Sequence, residues 1–554
     1  MHTLKPLLLL AYLFSGYDYY SARLMELQGA VATLLYLGLF AVLLVCLLLA
    51  AYSRPAPLRW IYALALYGAA VFFDAYHRVT VDYLTYAQFV SLLHSHAFID
   101  EAYQQFRDSI LRAGTTGLLL LFGIGLRPVS APVAGWVANV APWVGLILLG
   151  GVLFLRAGAG AKGLPVMYTP LAYLGLYGYE AMSDTVGARQ PVTLPRDDAV
   201  IDYDIVLIID ESVSGHYLDI NHPKGVPSGL KSPPPGVSVI NYGHAAAIAN
   251  CSADTNVTLR FGGTRDDYVR INATLPSIWQ YARQAGLRTV YVDAQRTRGA
   301  LQNRMSKDEV LELDAFLQYD DVPVHDRDMA VAESLIELLG NDQAELILVN
   351  KMGAHFPVHD KYPDEFLRYQ PALTRGRYLD IGDTGERDGF AGRAEDWLRY
   401  RNSYRNTLLW NVGEFFNRLL ARADLSRAVI LYTSDHGQDL HERGNPGLNT
   451  HCGGDPVVEE GLVPLVVLHG SGLSTLDWHA ELQANRDNSS HYNLFPTLLQ
   501  LMGYSLEGIQ ATYGNPLSVR SEDDFTFNTR FNARLGAEPS WKRIELDEVV
   551  SPDL

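Results

Sequence analysis

Acidic and imidazole side chains follow two predicted buried strands of this sequence. Glu211 comes just after residues 205–209, which are all aliphatic, and Asp435 and His436 come just after the mostly apolar run 428–433. Continuous apolar runs are typical of strands that are covered on both faces, as in a parallel sheet. In open α/β sheets the working residues lie just beyond the carboxyl ends of the strands. The spacing therefore predicts a metal site built from two carboxylates and one imidazole.

Further groups that could take part in chemistry stand at other predicted strand ends or helix starts. They are the turn Cys251-Ser252-Ala253-Asp254-Thr255, the tripeptide Gly353-Ala354-His355, and His451. A hydroxyl held by a divalent cation loses its proton far more easily than in water, as bound water does when its pKa falls to about 7. A Ser or Thr at a helix N-terminus is helped further by the exposed backbone amides. This set predicts a nucleophilic hydroxyl that is activated by a metal ion.

Charge divides the 554-residue chain into two unlike halves. The net charge is −17, most of the acidic residues follow residue 195, and residues 1–160 are mostly apolar. The absence of a basic stripe in the sequence argues against a nucleic-acid partner. Three cysteines are too few for a disulfide framework. Cys251 and Cys452 each neighbour a candidate site residue, and both a single bridge between them and two separate thiols are open.

The apolar half contains segments that are long enough to span a membrane, which needs about 20 mostly apolar residues. We predict five spans, at Leu4–Tyr20, 28–51, Trp60–Phe73, Gly114–Gly125 and Val137–Leu155. The first lacks a cleavage pattern of small residues and is therefore interpreted as an uncleaved span rather than a signal peptide.

Basic residues near the spans predict how the anchor is oriented. Lys5, Arg54, Arg59 and Arg127 fall in the N-terminus and in the second and fourth connections, which the positive-inside rule assigns to the cytoplasm. An odd number of spans then places the acidic half on the other side, in the periplasm of a Gram-negative cell.

The predicted domain organisation has three parts. Residues 1–157 form the transmembrane anchor, with a periplasmic loop at 74–113. Residues 158–200 form an interfacial bridge and linker, because Pro165 and Pro170 interrupt what would otherwise be a sixth span. Residues 201–554 form the catalytic domain.

Strands and helices alternate in the catalytic half. Strands are predicted at 204–209, 288–292, 345–350, 428–433 and 463–468, and helices at 275–285, 329–340, 403–422 and 491–503. This alternation favours a doubly wound, mostly parallel α/β sheet.

Four motifs in this order resemble those of the membrane-anchored phosphoethanolamine transferases, a family of the alkaline phosphatase and sulfatase superfamily that modifies lipid A. The matching segments are Ile208-Ile209-Asp210-Glu211-Ser212, Asn250-Cys251-Ser252-Ala253-Asp254-Thr255, Gly353-Ala354-His355-Phe356-Pro357 and Ser434-Asp435-His436-Gly437-Gln438, with His451 as a later match. The five-span anchor is similar too, so the resemblance covers about the whole chain.

The resemblance implies a fold of the alkaline phosphatase type and a ping-pong transfer of phosphoethanolamine from phosphatidylethanolamine to an envelope acceptor such as lipid A. It assigns the nucleophile to Thr255, which would share a zinc ion with Glu211, Asp435 and His436. A second zinc ion is allowed, and manganese is the alternative metal. The implied substrate contacts are Arg298, His355, His451 and Gln438, of which His355 and His451 would also act in catalysis. A monomer in the inner membrane is expected.

Several departures from the family pattern leave alternatives open. Asp210 stands where the family has Gly, and Gln438 stands where it has Glu. Ser252 competes with Thr255 for the role of nucleophile. A sulfatase-type formylglycine at Cys251 is not favoured, because Ala253 and Thr255 occupy the places of the Pro and Arg in that motif. The rival functions are a phosphoglycerol transferase, a phosphodiesterase or sulfatase-type hydrolase, and an envelope scaffold without activity.

Overall fold

The computed structural model describes residues 4–94, 99–129, 134–183, 188–376, 390–533 and 535–550. It contains two compact units. The first comprises Met1–Thr185, Pro446–Leu448 and Asn532–Pro539, and the second comprises Val186–Asn445, Asn449–Phe531 and Ser540–Leu554. Parts of the predicted loop 74–113 and of the predicted linker, namely residues 95–98 and 184–187, lie outside the described residues.

The first unit is helical. Its helices are α1 Leu4–Ser15, α2 Tyr17–Glu26, α3 Ala30–Ala50, α4 Ala56–Thr80, α5 Tyr86–His94, α6 Ile99–Gly125, α7 Gly135–Leu155 and α8 Thr169–Ser183. In the part of the chain that the structure describes, three of these, α3, α4 and α7, are long and apolar enough to cross a membrane. The first predicted span is divided into α1 and α2, and the predicted span Gly114–Gly125 is the last part of α6, whose first part is polar. Length and composition thus make these three helices candidate spans, and the five spans stay a prediction.

Two of the basic residues used to orient the anchor contact the C-terminal end of α6. Nζ of Lys5 donates a hydrogen bond to the carbonyl of Ile124 (2.8 Å), and Nε of Arg59 donates to the carbonyl of Gly125 (3.0 Å). The last carbonyls of a helix have no partner within the helix, and they carry the negative end of its dipole. These two cations therefore stabilise the end of α6 and tie α1 and α4 to it.

The second unit is built around an eight-stranded mixed sheet in the order β4-β3-β5-β1-β6-β7-β2-β8. Its strands are β1 Asp204–Asp210, β2 Val237–Ala246, β3 Arg288–Asp293, β4 Ala315–Gln318, β5 Glu345–Asn350, β6 Ala428–Ser434, β7 Leu462–Gly470 and β8 Ser489–Ser490. Strand β7 runs antiparallel to both β6 and β2, and the other neighbouring pairs are parallel. A separate hairpin pairs β9 Thr526–Asn528 with β10 Trp541–Arg543.

Helices cover both faces of this sheet. They are α9 Ser252–Phe261, α10 Tyr268–Thr274, α11 Ile278–Gln284, α12 Lys307–Val310, α13 Arg327–Leu339, α14 Ala394–Leu408, α15 Phe415–Arg422, α16 Leu482–Asn485, α17 Leu494–Leu501 and α18 Leu506–Tyr513. One face of β1 packs into a core with Trp279 and Leu498, and on the other face of the sheet Phe416 lies edge-on to Tyr432. Because all seven residues of β1 are buried, its apolar run is explained by its central position.

All five predicted strands are present, and the predicted helix 403–422 is interrupted. A π-helical segment, Leu409–Glu414, separates α14 from α15. Such segments occur often near functional sites. Here Asn411 bonds to two residues beneath the candidate site: its carbonyl accepts from Lys351 and its Nδ2 donates to the carbonyl of Gly353 (2.6 Å).

Candidate metal centre and nucleophile

The carboxyl ends of the central strands lie side by side at one edge of the sheet. Asp210 at the end of β1 pairs with Ser434 at the end of β6, and Ile209 pairs with Asn350 at the end of β5. The residues that follow each strand therefore leave the sheet at the same level. This register, rather than any feature of the loops, brings the three predicted ligands together.

Glu211, Asp435 and His436 form a buried cluster in which one ligand atom of each lies within 4.8 Å of the others. Nε2 of His436 is 3.5 Å from Oε1 of Glu211 and 3.7 Å from Oδ2 of Asp435. All three side chains are at most 1% exposed. The two predicted carboxylates and the predicted imidazole thus form one buried cluster.

The electrostatics of the cluster suit a cation. Burial, followed by the neighbouring Asp435, raises the pKa of Glu211 to about 7, and burial raises the pKa of Asp435 to about 6. Oδ2 of Asp435 is buried without a hydrogen-bond partner. Buried polar atoms are normally satisfied. A divalent ion would supply both the missing partner of this oxygen and the positive charge that two adjacent carboxylates lack.

Neighbouring groups fix the orientation of each candidate ligand. Oε1 of Glu211 accepts from Oγ of Ser212 (2.8 Å), and Oε2 accepts from Nε2 of Gln295 (3.0 Å). Oδ1 of Asp435 accepts from the amide of Ser212 (2.9 Å). Nδ1 of His436 donates to the carbonyl of Gly437 (2.6 Å), which leaves the lone pair on Nε2 directed at the cluster. Gln295 was not predicted, although its position just after the end of β3 could have suggested it.

The hydroxyl next to this cluster belongs to Ser252 and not to Thr255. Oγ of Ser252 lies 3.1 Å from Oε1 of Glu211 and 3.1 Å from Nε2 of His436. Ser252 is the first residue of α9, whose N-terminal amides favour negative charge on a nearby oxygen. It is half-buried and so remains accessible to a substrate.

The prediction of Thr255 as nucleophile and metal ligand is corrected by this geometry. Thr255 is fully buried one turn further into α9, where its Oγ1 donates to the carbonyl of Ala249 (3.2 Å) and accepts from the amide of the same residue (3.3 Å). The hydroxyl proton is thus committed to the backbone. The structure therefore does not place the Thr255 hydroxyl in contact with the predicted ligands.

A disulfide joins Cys251 to Cys452, with a Cα–Cα distance of 4.9 Å across 201 residues of sequence. Of the two open alternatives, the structure selects the bridge. Cys251 immediately precedes Ser252, and Cys452 immediately follows His451. The bridge therefore fixes the nucleophile candidate relative to the loop that carries His451.

Both predicted catalytic histidines lie beside the cluster. The ring of His451 stacks on that of His436, with centroids 4.5 Å apart. Burial, followed by the positive charge of His436 and His355, holds the pKa of His451 well below its usual value. Burial also lowers the pKa of His355, whereas Glu211 opposes this shift. Nδ1 of His355 donates to the carbonyl of Phe356 (2.5 Å). The two imidazoles are thus neighbours of the cluster, His451 through His436 and His355 through its electrostatic interaction with Glu211.

The two other predicted substrate contacts are placed differently. Arg298 is exposed, and its amide donates to Asp320 (2.7 Å). Lys361 and Arg296 are the cations whose positive charge contributes to the lowered pKa of His355. The role of Arg298 as a phosphate contact stays a prediction, and Arg296 is a further candidate because its charge acts on His355.

Gln438 is fully buried rather than presented to a substrate. Its Nε2 donates to the carbonyl of Ala354 (3.0 Å), and its amide donates to Oγ of Ser214 (2.9 Å). Its Oε1 has no partner. In this position Gln438 links the loop after β6 to the turn that carries His355.

A buried ion network, which the sequence analysis missed, underlies the site. Nζ of Lys351 lies 2.8 Å from Oδ2 of Asp210 and 3.7 Å from Oδ2 of Asp328, with all three side chains completely buried. Asp328 also accepts from the amides of Met352 (2.7 Å) and Gly353 (2.9 Å). Asp210, the departure from the family glycine, is thus paired with a lysine from the neighbouring strand end.

The sequence of this chain is similar to those of known proteins. Residues 251–504 match the sulfatase family. Two curated relatives are the Kdo(2)-lipid A phosphoethanolamine 7''-transferases of Escherichia coli K12, 23% identical over 194 residues, and of Salmonella typhimurium LT2, 23% identical over 171 residues. The matches cover 32% and 29% of this chain, but only 30% and 26% of the length of those relatives.

The fold is also shared with a solved membrane protein. The lipooligosaccharide phosphoethanolamine transferase A of Neisseria meningitidis superposes with a TM-score of 0.63 at 16% identity, covering 93% of this chain and 98% of that one. At this identity the superposition establishes the fold. Residues 251–504 are thus similar to the sulfatase family, and the chain shares its fold with this solved membrane protein.

Proposed function

We propose that this protein is a metal-dependent transferase that moves phosphoethanolamine from phosphatidylethanolamine to an acceptor of the bacterial envelope through Ser252. The observation that carries the proposal is the position of Oγ of Ser252, 3.1 Å from both Oε1 of Glu211 and Nε2 of His436. A hydroxyl at a helix start, beside a buried set of oxygen and nitrogen ligands, is the arrangement that nucleophilic phosphoryl transfer needs.

Glu211, Asp435 and His436 are the residues that would hold the cation, and they fit one because Asp435 Oδ2 is orphaned and two acidic groups are adjacent. A bound divalent ion would lower the pKa of a neighbouring hydroxyl and stabilise negative charge on phosphoryl oxygens. Zinc is supported by the family resemblance, and manganese is the alternative because two of the three ligands are carboxylates. The described residues support one metal site.

The remaining chemistry belongs to Ser252 and the two imidazoles. Oγ of Ser252 forms a bond to phosphorus, and the bond between phosphorus and the diacylglycerol oxygen breaks. His355 or His451, each with a lowered pKa and therefore neutral, accepts the proton that leaves Oγ of Ser252 and passes it to the departing diacylglycerol oxygen. An acceptor oxygen then displaces Oγ of Ser252 and regenerates the free hydroxyl. The covalent intermediate makes the reaction ping-pong.

The donor and acceptor are proposed from the relatives and from the anchor. The curated relatives are named for transfer to Kdo(2)-lipid A, and lipid A or a related envelope glycolipid is the proposed acceptor. Five spans, an inner-membrane location and a periplasmic catalytic unit complete the proposal. The apolar helices α3, α4 and α7 support membrane attachment.

Intact mass spectrometry after incubation with phosphatidylethanolamine tests the nucleophile and the donor together. We expect a phosphoethanolamine adduct on the peptide that contains Ser252, and its complete loss in Ser252→Ala. Thr255→Val should keep the adduct, although the loss of a buried hydrogen bond costs about 1 kcal/mol of stability or more. Thr255→Ser, which retains the hydroxyl, is the matched control for folding.

Three outcomes contradict parts of this proposal. An adduct on Thr255, or an unchanged adduct in Ser252→Ala, would show that the nucleophile is not Ser252. A glycerophosphate adduct formed from phosphatidylglycerol, with none from phosphatidylethanolamine, would favour a phosphoglycerol transferase. Release of free phosphoethanolamine as the main product in the presence of lipid A would favour a hydrolase.

A further inference from the structure

The helical unit contains a polar cavity of about 170 Å³ between α1, α2 and α4. Its lining combines two carboxylates, Asp18 and Asp74, with two basic groups and several aromatic rings. The residues used below are Tyr12, Tyr19, Phe73, Asp74, His77 and Arg78. Asp74 lies within the apolar helix Ala56–Thr80. An ionisable residue inside a spanning helix is costly and by default indicates function.

The inner end of the cavity suits a primary ammonium group. Tyr12 donates a hydrogen bond from its hydroxyl to Oδ2 of Asp74 (3.0 Å), and the ring of Tyr19 packs edge-on against Phe73 with centroids 5.5 Å apart. Aromatic rings beside a carboxylate attract cations, and the carboxylate in addition accepts hydrogen bonds from an ammonium that still carries protons. A quaternary ammonium could use the rings but could not donate to Asp74.

The other end suits a phosphate. Arg78 is exposed one helical turn beyond Asp74, and His77 lies beside it with its ring edge-on to Tyr19 at 5.3 Å. No ion pair within 4 Å joins Arg78 to Asp74, both of which are in the described part of the chain. The positive charge of Arg78 acts on Asp74 without a direct contact, and its exposed guanidinium remains accessible to a phosphate.

The cavity lies near the C-terminal end of the candidate span α4, where the headgroup layer of a bilayer is expected. Asp74 precedes the end of α4 by six residues, which is about 9 Å along the helix axis. A ligand that reaches Asp74 with an ammonium group would hold its phosphate close to Arg78 and direct an attached glycerol towards the surrounding lipid.

We infer that this cavity binds the phosphoethanolamine headgroup of a membrane lipid, separately from the metal centre. That the bound lipid is the donor of the reaction rests on the proposed function. Binding of the lipid in this cavity does not depend on catalysis. The same headgroup chemistry occurs in soluble glycerophosphoethanolamine, so lipid and soluble forms have to be compared.

Native mass spectrometry of the full-length protein in detergent, with defined lipids added, tests this inference. After removal of metal with a chelator, we expect phosphatidylethanolamine to remain bound in preference to phosphatidylglycerol and phosphatidylcholine by about tenfold. Asp74→Asn should abolish this preference. Arg78→Gln should weaken the binding of all phospholipids. Asp108→Asn, which changes an exposed residue of α6, should behave as wild type.

The failure of this inference can be distinguished from the failure of the proposed function. Ser252→Ala should bind phosphatidylethanolamine normally while forming no adduct, so loss of the adduct alone leaves the cavity assignment intact. Equal binding of the three lipids by the wild-type protein would overturn the assignment, even if Asp74→Asn does not fold. Equal binding of soluble glycerophosphoethanolamine and the lipid would show that the acyl chains contribute nothing, which would overturn the membrane-lipid assignment.

Discussion

At the residue scale, the main property of the candidate metal centre is an excess of buried acidic groups. Glu211 and Asp435 are adjacent and buried, and their raised pKa values show that without a cation they are stabilised by protons. A side chain that only orients Glu211, such as Gln295, changes the position of a ligand but not the charge of the site. Substitution of a candidate ligand should therefore lower metal affinity more than substitution of a residue that only orients a ligand.

We expect Glu211→Gln to lower zinc affinity by more than the factor of about 10–100 that is typical of losing an outer partner of a ligand. Gln295→Ala should fall within that range, because it removes only the hydrogen bond to Oε2 of Glu211. Isothermal titration with zinc, after removal of metal with a chelator, measures both. Equal affinities for Glu211→Gln and wild type would show that the cluster is not the metal centre.

A buried carboxylate outside the cluster, Asp204 at the start of β1, makes the stability of the folded protein depend on pH. Burial raises its pKa from 3.8 to about 7, and its Oδ1 accepts from the amide of Glu345 (3.0 Å). Since the folded pKa is above the unfolded one, the folded protein retains this proton between about pH 4 and pH 7. Stability therefore decreases as the pH rises through that window.

We expect Asp204→Asn to remove this decrease, because the amide oxygen can still accept from Glu345 and carries no charge. The variant should gain on the order of 1–2 kcal/mol at pH 8 and nothing at pH 4, after allowing for residual solvation. Thermal unfolding at the two pH values measures the difference. Asp198→Asn, at an exposed position, is the control, and an identical pH profile of Asp204→Asn and wild type would contradict the assignment.

At the element scale, the disulfide joins two loops that the sheet alone does not hold. Cys251 immediately precedes α9, which begins at Ser252, and Cys452 lies in the loop that carries His451. Replacing both cysteines with alanine should cost about 2–5 kcal/mol, as for other native disulfides. The loss of activity should exceed the loss of folded protein, because the two catalytic groups are no longer held together.

Single-turnover adduct formation and thermal unfolding, measured on the same Cys251→Ala/Cys452→Ala preparation, separate these effects. Cys46→Ala, which removes the buried free thiol of α3, is the matched control. Adduct formation at the wild-type rate by the folded fraction would show that the bridge stabilises the domain without positioning Ser252.

The elements that could be predicted are those whose sequence pattern is compatible with only one type of structure. The strands at 204–210 and 428–434 are central and buried on both faces, so their apolar runs identified them. Strand β2 was missed because Asn241 and Gly243 interrupt its alternation, where the pairing with β7 shifts register. The parallel strand ends bring Glu211, Asp435 and His436 together as expected, and their role as metal ligands stays a prediction.

The nucleophile could not be predicted in the same way. Ser252 and Thr255 are both hydroxyl residues at the start of one helix. Only the structure shows that the hydroxyl of Thr255 is hydrogen-bonded to the backbone of Ala249. Likewise, the pairing of Lys351 with Asp210 depends on strand order, since β5 and β1 are neighbours in the sheet although they are far apart in sequence.

At the scale of the whole molecule, the disulfide and the anchor make one prediction about compartment. Disulfides persist in oxidising environments such as the periplasm and are rare in the cytosol. An odd number of spans before residue 186 would place the catalytic unit there if the N-terminus is cytoplasmic. The helix α8, with 15 residues, is shorter than the length of about 20 that a span requires.

Reporter fusions test this topology. A reporter active only in the periplasm should be silent when fused after residue 128 and active when fused after residue 190, and a cytoplasmic reporter should give the reverse. If α8 crossed the membrane as a sixth span, both fusions would report the cytoplasm. In that case Cys251 and Cys452 would lie in a reducing compartment, and the bridge beside Ser252 would not persist in the cell.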